Sequence, residues 1–291
     1  MDLSKIITEN EPLARHTYFR IGGPAKYFVE PRTEDELAAV LARFGEEGED
    51  IHVLGGGTNL LVSDDGIDGV VIHLGEEFSV CEFQEGTTRA IVAAAYPLSA
   101  VVRKSVERGL AGLEGVIGVP GTFGGAALMN AGGKYGNVGD VITSVVVMNY
   151  DGSVHRIERD ELEFTYRSSN IPGIVLRAEL GFVRGATDHL SAKMKEVLQQ
   201  KRDSQPLSAK SAGCVFKNPP GGSAGALVDQ LGFKGVTVGG AQVSTKHANF
   251  IINTGAATAA NVLELVDKIR DKVKGAFGLD LELEVRLWGF S

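Results

Sequence analysis

The placement of its glycines constrains this chain more than any other feature. Of the 291 residues, 38 are glycine, roughly twice the usual share of about 7%. They are not spread as low complexity. They gather in "HVLGGGTN", "GVIGVPGTFGGAALMNAGGKYG" and "NPPGGSAG". Backbone without Cβ atoms can bend sharply and turn several N–H groups toward one anion. The first cluster fits neither GxGxxG nor the GxxxxGK[ST] phosphate loop, so neither standard nucleotide fold is indicated. A single glycine cluster after a strand is most often a tight turn. The second cluster changes the balance, bringing Gly118, Gly121, Gly124, Gly125, Gly132 and Gly133, with Thr122 and Asn130, into one short stretch. Two such loops flanking strands suit an extended pyrophosphate ligand that needs backbone contacts along its length.

Composition excludes several partners. Apolar residues make up 43% and charged residues 23%, the balance of a globular protein with a substantial core. A net charge of −8 with no Lys/Arg run argues against a nucleic-acid backbone as partner. The longest apolar run, "IVAAAYPLSAVV", contains Pro97 and is too short to span a bilayer. "MDLSKIITENEP" lacks the pattern of a secretory signal. Cys81 and Cys214 lie far apart without a CxxC, which predicts a reduced, cytoplasmic protein. The six histidines are scattered singly, so no metal site is expected.

Strand-like and helix-like segments alternate. "KYFVEP" reads as a strand, followed by a helix from about residue 34 with Thr33 and Glu36 as a capping box. Leu37, Val40, Leu41 and Phe44 give that helix one apolar face. "DIHVLGGG" and "GVVIHL" read as short strands, and Pro97 opens a helix ending near Gly109. "VITSVVVMNYDGSVHRIE" predicts a hairpin, with Asp151-Gly152 in a type I′ turn. After the strand "GIVLRAELGFV", a helix places Leu190, Met194, Val197 and Leu198 on one face and ends in the polar "QQKRDSQP". That segment predicts a domain boundary, giving residues 1–200, divided near residue 75 into two α/β subdomains, and residues 201–291. The second part reads as α+β. It has a strand at Cys214, a helix near 224–231, strands "GVTVGG" and "ANFIIN", a helix over 258–277 and an alternating final strand, "LDLELEVRLWG".

The order of "TYFRIGGPAKYFVEP", "LGGGTNLLVSDDGIDGVVI", "GLAGLEGVIGVPGTFGGAALMNAGGKYG", "YRSS", "SAGCVFKNP", "VSTKHANFIIN" and "LELEVR" resembles that of the UDP-N-acetylenolpyruvoylglucosamine reductase family, from about residue 12 to residue 289. The resemblance implies an α+β fold, with a vanillyl-alcohol-oxidase/PCMH-type FAD-binding domain followed by a smaller substrate domain. In that arrangement the final strand packs back toward the FAD site. It also implies an NADPH-dependent reduction, through non-covalent FAD, of UDP-N-acetylglucosamine enolpyruvate to UDP-N-acetylmuramate. This is a step of peptidoglycan precursor synthesis, and so of cell-wall growth and division. Hydride would pass from flavin N5 to C3 of the enol ether.

Carried over residue by residue, the resemblance assigns Gly55, Gly56, Gly57, Thr58, Asn59 and Leu60 to the cofactor. So too Gly118, Pro120, Gly121, Thr122, Gly124, Gly125, Ala126 and Asn130. "YRSS" gives Arg167 as catalytic, with Tyr166 beside it at the substrate; "SAGCVF" gives Cys214 as proton donor; "LELEVR" gives Glu284 as the third catalytic member; "FKNP" adds Lys217 and Asn218 as substrate contacts. Many relatives carry serine where this chain has Cys214. "NAGGKYG" is one residue longer than the relatives' "NAGAYG". The short interval from Arg167 to Cys214 matches the type II form, and a monomer is expected.

These residue types suit the chemistry. Hydride at C3 pushes charge onto C2 and the carboxylate, and a guanidinium presents a planar fork of donors to it. A thiol with an ordinary pKa of about 8.5 stays mostly protonated at neutral pH and can protonate C2. Glu284 has two open roles: hydrogen-bonding the intermediate if protonated, or orienting Arg167 if ionised. Taken singly, Cys214 reads as a small core residue, Arg167 as a surface charge, Glu284 as one of a cross-strand pair, and His247 and Asn249 as partners of local backbone. Two other functions remain open. One is a flavin oxidase of the same fold acting on another alcohol or sugar; the other is a non-catalytic nucleotide-binding protein. No histidine lies in Gly55–Asn59 or Gly118–Ala126, which disfavours a covalently tethered flavin.

Overall fold

A computed structural model describes residues 2–290. The chain divides into two compact units. The first comprises residues 1–8, 27–56 and 69–201; the second comprises 9–26, 57–68 and 202–291.

In the first unit, helix α1 (Glu34–Glu46) begins where Thr33 accepts from the Glu36 amide at 3.1 Å. The Glu36 carboxylate reaches back to the Arg32 amide, one residue before the expected capping-box partner. Its four predicted apolar positions are all fully buried. They pack in one core with Val70 and Ile72 of strand Ile67–His73, which pairs in parallel with strand Ile51–Leu54. Beyond residue 75 a separate five-stranded sheet follows. Its order is 154–158, 142–148, 174–181, 89–93, 81–83, antiparallel throughout. Helix α2 (Leu98–Glu107) starts directly after Pro97, and the short helix α3 (Phe123–Leu128) lies inside the second glycine cluster. Helix α4 (Thr187–Ser204) buries Leu190 and Val197.

The hairpin after Met148 closes differently from the sequence expectation. Only Gly152 has a positive φ, +83°, whereas type I′ needs two such residues. The Gly152 amide instead donates to Asn149 O at 2.9 Å, and Asp151 accepts from the Ser153 amide. The local Asp–Ser bond outweighs the Asp-Gly turn preference.

The second unit holds helices α5 (Ala224–Gln230) and α6 (Ala259–Phe277) with a three-stranded antiparallel sheet, 237–238, 241–243 and 251–253. Thr258 and Asn261 form a capping box at the start of α6, and Asp64 accepts from the Ala259 and Ala260 amides. Phe19, Ile21 and Leu61 complete its core alongside Val228, Leu265 and Ile269. That explains why segments 9–26 and 57–68 belong here. Two expected strands are not regular. Around Cys214 there are only isolated bridges, Cys214 to Phe250 and Phe216 to Leu283. Of the final segment only Arg286–Trp288 forms a strand, pairing in parallel with Leu60–Val62.

Candidate active site

Each unit carries part of the predicted constellation. In the first, the two glycine loops meet. A Cβ on Gly55 would come within 2.7 Å of Thr122 Oγ1, and one on Gly56 within 2.8 Å of Gly121 Cα. At Gly56 glycine is required for the close approach of two backbones, and at Gly55 it leaves room for the Thr122 hydroxyl. The Thr122 hydroxyl is buried without a hydrogen-bond partner among the described residues, a group that calls for a ligand or water. Gly124 and Ala126 are buried beneath, with the Gly124 amide on Ala94 O at 2.8 Å. Gly125 and Gly118 are half-buried, and Pro120 is exposed. A backbone cradle with an unspent hydroxyl fits a dinucleotide cofactor.

Asn130 also has a structural task. Its φ is +42°; its Nδ2 donates to Thr165 O at 2.9 Å, and its Oδ1 accepts from the Gly139 amide at 3.0 Å. It therefore pins the hairpin that presents "YRSS". Thr165 pairs with Ser168 across that hairpin, leaving Tyr166 and Arg167 at its tip, and Ser169 Oγ donates to Leu128 O. Tyr166 is exposed with the Arg167 guanidinium 5.1 Å from its ring centre. Arg167 has φ +59°, a conformation that costs a non-glycine residue about 1–2 kcal/mol. Its Nη1 donates to Gly132 O at 2.9 Å. Gly132–Gly133 pairs with Gly136–Asn137, so the longer "NAGGKYG" loop forms a tight hairpin whose carbonyl holds the arginine.

In the second unit, Cys214 is half-buried and follows Gly213, whose φ is +77° with open space where a Cβ would stand. The segment is clamped from two directions. Val215 N donates to Asn249 O, while the buried Asn249 carboxamide accepts from Phe216 N at 2.9 Å and donates to Phe216 O at 2.8 Å. One side chain thus replaces a strand partner. Opposite, the amide of Glu284 donates to Val215 O and Lys217 N donates to Glu282 O. Glu284 is thereby set beside the Cys214 segment.

Gly57, Thr58, Asn59 and Leu60 continue the first glycine loop in this unit. Gly57 O accepts from Tyr18 N, and Leu60 is buried. Asn59 Nδ2 donates to Glu284 O at 3.0 Å, so this residue positions the main chain of Glu284. Lys217 pairs with Glu282 at 3.1 Å, and Asn218 Oδ1 accepts from the Ala224 amide at 3.0 Å. His247 accepts from the Asn249 amide; burial, then Lys234, push its pKa down.

Asn249 satisfies backbone as its sequence context suggests, but that of distant Phe216 rather than of its neighbours. The inward turn of Lys201, whose Nζ donates to Ile117 O at 2.7 Å, has no signal in the sequence. Among the described residues Cys81 and Cys214 form no disulfide. Among the described residues there is no cluster able to hold a metal ion and no helix long and apolar enough to cross a membrane.

Residues 25–158 match the FAD binding domain family, and residues 205–288 match the C-terminal domain of UDP-N-acetylenolpyruvoylglucosamine reductase. The chain is 43% identical to the UDP-N-acetylenolpyruvoylglucosamine reductase of Moorella thermoacetica, over 97% of this chain and 93% of that protein. It belongs to the UDP-N-acetylenolpyruvoylglucosamine reductase family. A second relative, the enzyme numbered 2 of Symbiobacterium thermophilum, is also 43% identical, over 98% and 93% of the two chains. The solved reductase of Thermus caldophilus superposes with a TM-score of 0.83 at 39% identity, covering 97% of this chain and 98% of that one. Phl p 4, described as a grass pollen allergen with glucose dehydrogenase activity, matches 63% of this chain and 42% of its own with a TM-score of 0.51 at 14% identity. That likeness concerns the fold alone. Within the reductase family the chain is a flavoprotein oxidoreductase of α+β class, with its FAD-binding-domain match over residues 25–158.

Proposed function

We propose that the chain reduces UDP-N-acetylglucosamine enolpyruvate to UDP-N-acetylmuramate at the expense of NADPH, in the cytoplasm and as a monomer. Family membership across nearly the whole length carries this reading, and two cysteines outside any disulfide fit a reducing compartment. FAD, when bound, supplies the flavin that takes hydride from NADPH and returns it to the substrate. Gly55 to Leu60 and Gly118 to Ala126 would hold it through backbone groups, with the Thr122 hydroxyl as a side-chain donor. Arg167, held by Gly132 O, would stabilise the negative charge that develops on the substrate carboxylate. Cys214 would deliver the proton to C2. Glu284 completes the catalytic set, its main chain fixed by Val215 and Asn59. Tyr166, Lys217 and Asn218 would line the substrate. Lys217 and Asn218 also carry structural bonds.

The purified protein is expected to be yellow and to oxidise NADPH only when the enolpyruvyl sugar nucleotide is present. A colourless protein, or rapid NADPH oxidation by oxygen alone, would overturn the proposal in favour of a non-catalytic binder or an oxidase. Light scattering checks the monomer.

A further inference from the structure

The hairpin that carries Arg167 has two strand pairs, Phe164 with Ser169 and Thr165 with Ser168. A two-stranded ribbon of that length is not stable by itself, so the direction of its tip depends on what the ribbon is docked against. The dock is the stretch 128–132, where α3 ends. Three hydrogen bonds join the two. Ser169 Oγ donates to Leu128 O at 3.0 Å, Asn130 Nδ2 to Thr165 O at 2.9 Å, and Arg167 Nη1 to Gly132 O at 2.9 Å. The first serves the last carbonyl of α3, a group with no partner inside its helix. The second comes from a residue that is only 7% exposed. The other end of that carboxamide is fixed too. Asn130 Oδ1 accepts from the Gly139 amide, and Gly139 makes room for the Phe164 ring, whose Cγ would lie 2.5 Å from a Cβ there. Asn130 holds this geometry at φ +42°, a left-handed conformation that asparagine tolerates better than most residues.

Resting on the catalytic role proposed above for Arg167, we propose that Asn130 and Ser169 are its positioning residues. They fix the body of the hairpin, so that the bond to Gly132 sets the guanidinium in one place. Both act through the arginine. A misplacement of about 1 Å at a catalytic group can cost on the order of 10²-fold in rate, and a ribbon released at either body contact has that freedom.

The test follows flavin-loaded wild type, Asn130→Gly, Ser169→Ala and Ser169→Thr by stopped flow, with FAD dissociation read from free-flavin fluorescence on dilution. Glycine accepts a left-handed backbone without strain, so Asn130→Gly removes the carboxamide alone. FAD dissociation and flavin reduction by NADPH should stay within about threefold of wild type. Reoxidation by UDP-N-acetylglucosamine enolpyruvate should slow about 10- to 100-fold in Asn130→Gly and Ser169→Ala. Ser169→Thr keeps the hydroxyl and should recover most of that rate. In an Arg167→Gly background, Ser169→Ala should slow reoxidation no further, because a residue acting through another adds nothing once the other is gone. Ser169→Ala removes one half-buried hydroxyl and carries the test if Asn130→Gly does not fold. Unchanged reoxidation in Ser169→Ala, or an equal further loss in the Arg167→Gly background, overturns the proposal. So does weakened FAD binding with slowed reduction in Asn130→Gly, which makes Asn130 a cofactor contact instead. Wild-type flavin that NADPH reduces but the enolpyruvyl sugar nucleotide fails to reoxidise contradicts the proposed function, and the role of the hairpin with it.

Discussion

Arg167 and the residue before Cys214, Gly213, both occupy the left-handed region of the backbone. Arg167 occupies the left-handed region at φ +59°, where glycine would sit without strain. Arg167→Gly should therefore leave the thermal midpoint within a few degrees of wild type while turnover falls by about 10²–10³-fold. A large loss of stability in that variant would show that the arginine is kept for its bond to Gly132. For Cys214, stopped-flow on Cys214→Ala should show normal flavin reduction by NADPH and reoxidation by substrate slowed about 10²–10⁴-fold. Cys214→Ser should recover much of the second step, since a hydroxyl also donates. Unimpaired reoxidation in the alanine variant would remove Cys214 from the donor role.

At the scale of elements, local signals were legible and distant ones were not. Thr33 with Glu36 marked the start of α1 because partners three residues apart can be read from the sequence. The Cys214 segment misled, since the partner that satisfies Phe216 is a side chain 33 positions away. The motif marks Asn130 as a ligand contact, and its carboxamide also bonds Thr165 and Gly139, partners that lie far along the chain or outside any local pattern. Asn249→Ala should strand both polar groups of Phe216, costing about 2–4 kcal/mol, visible as a lower urea midpoint. A second element-scale test concerns α4, which Lys193 ties to the buried Glu114. Burial pushes the Glu114 carboxyl up, but Lys193 and the Gly112 amide hold it below its ordinary value of 4.5. A carboxylate with a lowered folded-state pKa contributes stability that is whole at neutral pH. That stability is lost as pH falls through and below 4.5. Glu114→Gln should lower stability by about 1–3 kcal/mol at pH 7 and by progressively less in acid, measured as the gap between the two denaturation curves across pH.

For the whole molecule, "QQKRDSQP" reads as a domain boundary, whereas the two compact units are each built from three separate segments. Hydrophobic periodicity could not reveal that the second unit also takes residues 9–26 and 57–68, because neither stretch is periodic enough to announce a face. Their contribution is nevertheless central. Phe19 and Leu61 are almost fully buried in the second core, and Asp64 supplies the carboxylate that meets the first amides of α6. Arg286–Trp288 has its strand partner at Leu60–Val62. A fragment of residues 202–291 would lose all of these at once. Burial of Phe19, Ile21 and Leu61 side chains is worth about 1.5–3 kcal/mol each, a sum comparable to the total stability of a small domain. The fragment is therefore expected to show no cooperative thermal transition by circular dichroism, although it contains every residue matched to the C-terminal domain family. Adding peptides spanning residues 9–26 and 57–68 should restore part of the transition. A sharp, two-state melt of the fragment alone would mean that its core closes without them.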